Sequence, residues 1–259
     1  MTAMAGDARR AAWVRTDFYT WMFLACVLIA FLGFTPTFWQ PMAAGQFKAN
    51  PIVLVHGFAF FAWTLFALYQ ASLIPARNVA LHRAVGLAGI SFATAMTLFG
   101  CLAALNSLKT GIAEGQAAGA EAFLIVPLSA IATFAAFVVW AIANIRRPEW
   151  HKRAMLLATI ALLGAPVARP LIVFVYKFPP TQQLPVWFDV TGSIVGWLLV
   201  VIGMAWDWRA RGKVHPAWLI GLAVLVVVPL LAVPIADTAS WHGFAKAYAA
   251  MAGAPFKPA

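Results

Sequence analysis

Residues 156–176 read LLATIALLGAPVARPLIVFVY, an apolar run that contains one charged side chain, Arg169. A helix of this length crosses the hydrocarbon core of a bilayer, which is about 30 Å thick. An arginine cannot lose its charge at physiological pH, so near hydrocarbon it needs a counter-ion, water or a phosphate. The run therefore predicts a transmembrane helix and makes Arg169 the residue to explain.

The apolar character of this run extends along the whole chain. Hydrophobic residues make up 63% of the sequence and charged residues only 10%, which excludes an ordinary soluble domain. Backbone groups that face lipid must bond within their own segment, so every span should be a helix. We predict an all-α polytopic bundle, one transmembrane domain over residues 1–259, with a short surface helix at about 240–251. The seven predicted spans are about 17–38, 51–74, 83–106, 121–145, 152–176, 186–206 and 216–236.

The basic residues indicate how the chain is threaded through the membrane. The net charge is +10, from 18 Lys and Arg against 8 Asp and Glu. If the N-terminus is cytoplasmic, twelve of those 18 basic residues fall in cytoplasmic segments, as the positive-inside rule requires. The charge thus indicates topology and a lipid bilayer as partner, and no nucleic acid. We expect the N-terminus inside, the C-terminus outside, and one lone helix followed by three helical hairpins.

Two further ionisable residues share the predicted depth of Arg169. His56 and Asp189 each lie about one turn inside a helix that starts on the outer side, shortly after a proline. Arg169 comes eighteen residues after His151, about 27 Å along a helix, and so lies near the same boundary. The short, proline-rich connection KFPPTQQLPVW keeps the fifth and sixth spans adjacent. An ion pair between Arg169 and Asp189 is therefore expected.

These three residues form the candidate ligand-binding site, with Tyr176 and His242 at its rim. Tyr176 follows Arg169 by seven residues and so lies on about the same helix face. A fixed positive charge, a carboxylate and a titratable imidazole at one depth suit a small polar or anionic ligand, or proton transfer, in a transporter-like or receptor-like protein. The alternative is structural: Arg169 snorkels to the outer headgroups and pairs with Asp189.

A histidine stands at each predicted cytoplasmic turn, where the returning helix begins: His82, His151 and His215. Imidazole is a good ligand for zinc, copper and haem iron, so these residues are the candidate metal or haem b ligands. The alternative is that histidine, beside Arg or Lys at a helix start, simply tolerates the headgroup layer. No H-E-x-x-H, C-x-x-C, G-x-S-x-G or Walker sequence occurs, so no motif indicates an enzyme and enzymatic activity stays undecided.

Small residues in the sixth predicted span mark a close helix contact. Gly192, Gly196 and Gly203 recur along this span, together with Ser193. Inside a membrane such residues let two helix backbones approach closely. We therefore expect another helix to pack against this stripe.

Three stretches resemble segments of known membrane protein families: HGFAFFAWTLFALYQ (56–70), LHRAVGLAG (81–89) and WHKRAMLLATIALLGAPVARP (150–170). They look like the HR..G and HKR.M…AR segments of uncharacterised bacterial polytopic membrane proteins, which are loosely similar to cytochrome b561-type or oxidase-assembly membrane proteins. The resemblance covers about residues 51–176 and implies a multi-pass protein of the bacterial inner (plasma) membrane. The alternative function is a haem b- or quinone-associated redox protein or respiratory-complex accessory that uses His82, His151 and His215. A membrane-protein partner and a homo-oligomer both stay open.

Overall fold

The computed structural model describes residues 17–47, 50–179 and 182–251. Over these residues the chain is helical and contains no strand, which confirms the predicted all-α class. Six of its helical segments are long and apolar enough to cross a membrane, and a bent helix pair near the start adds a seventh if the pair is counted as one span. The chain is therefore a multi-pass membrane protein.

The first span is the bent pair. In it, α1 (Phe18–Gly33) turns by about 40° into a π-helix (Thr35–Trp39), which α2 (Gln40–Ala43) follows. The remaining elements are α3 (Pro51–Ser72), α4 (Val79–Ala113), α5 (Ala117–Phe123), α6 (Ile125–Ala143), α7 (Pro148–Ile160), α8 (Gly164–Pro170) with a second π-helix (Leu171–Val175), α9 (Phe188–Arg211), α10 (Pro216–Ala236) and α11 (Ala239–Ala250).

Short turns join α3 to α4, α6 to α7 and α9 to α10. Two turn residues cap the next helix: the side chains of Asn78 and His215 each accept a backbone N–H from the first turn of α4 and α10. Gly212 ends α9 with a left-handed φ of 70°, which glycine adopts without strain. The helices α4, α7 and α10 thus begin at one end of the bundle, which we call the histidine end after His82, His151 and His215.

The fifth predicted span, about 152–176, corresponds to the candidate membrane span Pro148–Val175, but its helix is irregular in the middle. α7 ends at Ile160, α8 starts at Gly164, and a π-helix follows Pro170. Pro166 has no N–H, so the carbonyl of Leu162 lacks its usual helical donor, and Pro170 removes the donor for Pro166 in the same way. The two prolines therefore account for the irregular course of this span.

The interruptions of the first and fifth spans lie against each other. A Cβ on Gly33, the last residue of α1, would overlap the backbone carbonyl of Pro166. Only a glycine lets two backbones come this close inside a membrane. The irregular stretches of both spans therefore meet in the interior of the bundle.

Aromatic and aliphatic side chains fill the bundle around Trp63, which is buried. Its indole N–H donates to the hydroxyl of Thr159 over 3.3 Å, which satisfies its one donor. Large apolar side chains such as Leu32, Leu87 and Val139 are exposed on the outside, as expected for a surface that faces lipid. Other core side chains are Met96, Phe134, Leu156, Leu157, Val200 and Trp218.

Candidate functional site

A cavity of about 430 Å³ lies inside the bundle, within the range of small-molecule sites. Most of the side chains that line it are apolar, with a small number of polar groups among them. The polar side chains are His56, Thr64, Ser107, Ser129, Thr133, Arg169, Asp189 and Ser193. The structure thus brings His56, Arg169 and Asp189 to one cavity.

The interrupted fifth span supplies one continuous wall of this cavity. Every residue from Ile160 to Pro166 lines it, so the break faces the cavity and not lipid. Irregular backbone inside a membrane is tolerated where it lines a cavity or is covered by protein. In many transporters such discontinuous helices form the binding site.

His56 presents an unsatisfied nitrogen. It lies in α3, with its ring centre 4.1 Å from that of Phe60. Its Nδ1 is buried and has no hydrogen-bond partner among the described residues. A buried polar atom without a partner lowers stability by about 1–3 kcal/mol, so this nitrogen needs water or a ligand.

Arg169 and Asp189 do not form the ion pair that the sequence predicts. Over the described residues, no ion pair within 4.0 Å includes either side chain. The guanidinium of Arg169 instead lies 5.7 Å from the ring centre of Phe34. The carboxylate of Asp189 lies beside Gly164, where an added Cβ would be 3.5 Å from its Oδ1.

The carboxylate of Asp189 and the backbone of Arg169 lie at opposite ends of α8. Gly164 is the first residue of α8 and Arg169 lies in its last turn, five residues or about 7 Å further along the helix axis. Because Asp189 contacts the first residue, its carboxylate lies nearer to the histidine end than Arg169 does.

The two predicted rim residues, Tyr176 and His242, lie outside this cavity. Tyr176 stacks on Phe178, with ring centres 5.6 Å apart, and is exposed. His242 lies on α11 and contacts the carboxylate of Glu121 through Nδ1 over 2.7 Å. The N–H of the neighbouring Trp241 side chain donates to the backbone carbonyl of Glu121. His242 therefore connects α11 to α5 and does not line the cavity.

A buried ion pair that the sequence analysis missed joins α7 to α9. Arg153 is fully buried and donates to Asp207 from Nε over 3.1 Å and from Nη2 over 2.5 Å. Glu149 accepts from Nη1 of Arg153 over 2.7 Å, and Arg211 pairs with Glu149 in turn. We call Glu149, Arg153, Asp207 and Arg211 the ionic cluster. The signal in the sequence is Asp207, a carboxylate at the end of an apolar span, which needs a basic partner.

The ionic cluster also holds the start of α10. Asp207 accepts the backbone N–H of His215 over 3.2 Å. Burial lowers the pKa of His215, which keeps its ring neutral, and its Nδ1 accepts the N–H of Ala217 over 3.1 Å. Since the charges of the cluster satisfy one another, its role is to hold three helix ends together.

His82 and His151 face each other at the histidine end, with ring centres 6.3 Å apart. The Nδ1 of His82 lies 3.2 Å from the carbonyl oxygen of Gln70, and that of His151 lies 3.0 Å from the carbonyl oxygen of Ala141. A carbonyl only accepts, so each Nδ1 donates and each Nε2 keeps a lone pair. His215 does not join them, because it caps α10. Of the three predicted metal ligands, the structure therefore brings two together.

Within the described ranges, no group of three or more His, Cys, Asp and Glu side chains could hold a metal ion. Comparisons of the chain with models of known families, with curated proteins and with solved structures found no match.

Proposed function

We propose that the protein is a transporter-like or receptor-like membrane protein whose central cavity binds a small polar or anionic ligand. The observation that carries this proposal is that one cavity contains two polar groups with no hydrogen-bond partner among the described residues, the guanidinium of Arg169 and the Nδ1 of His56. A guanidinium away from bulk water is costly without an acceptor. A carboxylate or phosphate would supply that acceptor, and the apolar walls would hold an organic body attached to it.

The proposal includes the orientation of the protein in the bacterial plasma membrane. The described basic residues at the histidine end include Arg77, Arg83, Arg146, Arg147, Arg209 and Arg211. Arginines concentrated at one end of a bundle mark the cytoplasmic side. His56 lies near the start of α3, at the opposite end, so the cavity would lie in the outer half of the protein.

Arg169→Gln should weaken ligand binding about tenfold to a hundredfold, because a hydrogen bond to a charged group contributes about 1.5–3 kcal/mol. The measurement is the shift in melting temperature of protein in lipid nanodiscs with a series of straight-chain monocarboxylates and alkyl phosphates. The matched control is Arg83→Gln, which removes an exposed arginine of α4. The melting temperature of each variant without ligand is measured first, to show that the variant is folded. Arg169→Lys keeps the positive charge and serves as a second variant in case Arg169→Gln does not fold. Equal shifts in wild type and Arg169→Gln, or no shift with any probe, would contradict the proposal.

The His82–His151 pair favours a second candidate function, a haem b- or metal-bound redox protein. A metal–imidazole bond of about 2.0 Å on each side of one ion puts the two ring centres roughly 6 Å apart. The observed separation is 6.3 Å. The two Nδ1 contacts to backbone carbonyls fix the tautomer and orient each ring, as second-shell bonds do for metal-ligating histidines. A haem held here would supply one-electron transfer.

Removal of either histidine of this pair should abolish haem binding. Purified protein is titrated with haem b, and the Soret band is recorded for wild type and for His82→Ala and His151→Ala. The matched control is His215→Ala, which removes a histidine at the same end that does not face the pair, and it should keep the wild-type band. Wild-type protein without a Soret shift would exclude the haem version of this candidate and leave the cavity proposal unaffected.

A further inference from the structure

The cavity contains two opposite charges that do not neutralise each other. Arg169 lies in the last turn of α8, whereas the carboxylate of Asp189 lies beside Gly164, the first residue of that helix. No ion pair within 4.0 Å involves either group in the part of the chain that the structure describes. His56 lines the same cavity and presents its unpartnered Nδ1 there. We call Arg169 the positive pole of the cavity and Asp189 the negative pole.

The fold keeps the poles apart. A Cβ on Gly192 would lie 2.7 Å from the backbone carbonyl oxygen of Gly164, so α9 packs on α8 through backbone. This contact fixes the register between the helices and holds Asp189, one turn before Gly192, opposite the start of α8. The offset between Gly164 and Arg169 is five residues, about 7 Å of helix. The packing of the two backbones therefore fixes the level of Asp189 along α8.

The wall between the poles is apolar. Along α8, the cavity-lining residues between Gly164 and Arg169 are Ala165, Pro166 and Ala168. Neither alanine nor proline has a side-chain donor or acceptor. A ligand that reaches from one pole to the other therefore lies against hydrocarbon in its middle part.

We infer that the ligand of this cavity is dipolar, with an anionic group at Arg169 and His56, a cationic amine at Asp189, and an apolar spacer between them. This inference rests on the proposed function and names the class of ligand. Each unpaired charge inside the membrane is unfavourable, and a ligand with separated charges satisfies both. The separation of the poles matches an ω-amino acid better than an α-amino acid, whose two charges lie on neighbouring atoms of the chain.

Four probes of equal chain length test this inference. They are 6-aminohexanoate, its isomer 2-aminohexanoate, hexanoate and hexylamine, each titrated calorimetrically into protein in nanodiscs, with empty nanodiscs as the reference. We expect 6-aminohexanoate to bind at least about tenfold more tightly than each of the other three, because it alone makes both charged contacts at the required spacing.

Asp189→Asn should reduce the affinity for 6-aminohexanoate to that for hexanoate, and Arg169→Gln should reduce it to that for hexylamine. The matched control is Asp237→Asn, which removes an exposed carboxylate at the end of α10, and it should leave all four affinities unchanged. If hexanoate binds as tightly as 6-aminohexanoate, and Asp189→Asn alters neither, the dipolar inference is wrong while the proposed anion site stands. Equal binding of the two isomers would overturn the spacing, and no binding of any probe would overturn the inference together with the proposed function.

Discussion

Asp207→Ala is expected to lower the free energy of unfolding by about 3–5 kcal/mol, because the buried guanidinium of Arg153 keeps Glu149 but loses its buried carboxylate partner. Arg153 is fully buried and cannot be neutralised by losing its proton. The substitution also removes the acceptor for the backbone N–H of His215, so the start of α10 loses a second contact. The measurement is unfolding in mixed micelles titrated with SDS, followed by circular dichroism.

Two further variants show whether the lost ion pair is the cause. Arg209→Ala removes an exposed arginine of α9 and should change the stability by no more than about 0.5 kcal/mol. The double variant Arg153→Met, Asp207→Leu should recover most of the lost stability, because an apolar pair avoids the desolvation of two charges. If Asp207→Ala is as stable as Arg209→Ala, the ionic cluster does not hold the helix ends together.

Gly192→Ala is expected to destabilise the protein by about 1–3 kcal/mol, since the added methyl group overfills a close helix contact. The new Cβ would lie 2.7 Å from the carbonyl oxygen of Gly164. That oxygen belongs to the backbone and cannot rotate away as a flexible side chain could, so α9 must move off α8. The same movement displaces Asp189 from the cavity wall, and the affinity for 6-aminohexanoate should fall with the stability in nanodiscs.

The matched control for this effect is Gly86→Ala. Its Cβ would meet only the side-chain oxygen of Gln70, at 3.9 Å, and alanine favours a helix over glycine by about 1 kcal/mol. We expect Gly86→Ala to be as stable as wild type or slightly more stable. If both alanine variants behave alike, the packing of α9 on α8 is looser than the structure indicates.

The spans could be predicted from the sequence because the bilayer imposes one rule on all of them. A chain that crosses hydrocarbon must form helices of about twenty apolar residues, and such runs are visible without any knowledge of packing. The close helix contact at Gly192 could also be predicted, because small residues in a membrane span allow two helix backbones to approach each other. The interruption at residues 161–163 was not predicted. A hydropathy pattern has the same appearance for a continuous and an interrupted helix, although Gly164 and Pro166 are visible in the sequence.

The site was only partly predictable from the sequence. Which side chains pair depends on how deep each residue lies in the membrane and on how each helix is rotated about its axis. Arg153 and Asp207 are far apart in sequence and meet only through the packing of α7 on α9. The different positions of the three histidines, in contrast, can be distinguished from the sequence. His82 and His151 each lie four residues after the residue that caps their helix, whereas Pro216 makes His215 itself the capping residue. The residue before a proline is driven out of helical geometry, so the different role of His215 could have been recognised from the sequence.

The attachment of α11 has a consequence for how the protein is made. Trp241 and His242 contact Glu121, and the hydroxyl of Tyr248 donates to the backbone carbonyl of Cys101, across 120 to 147 residues of chain. At the usual pace of a ribosome, α4 and α5 wait for roughly six to thirty seconds before α11 is synthesised. During that time the carboxylate of Glu121, buried in the finished protein, lacks its histidine. These contacts therefore form only after α10, the span that precedes α11, has been synthesised.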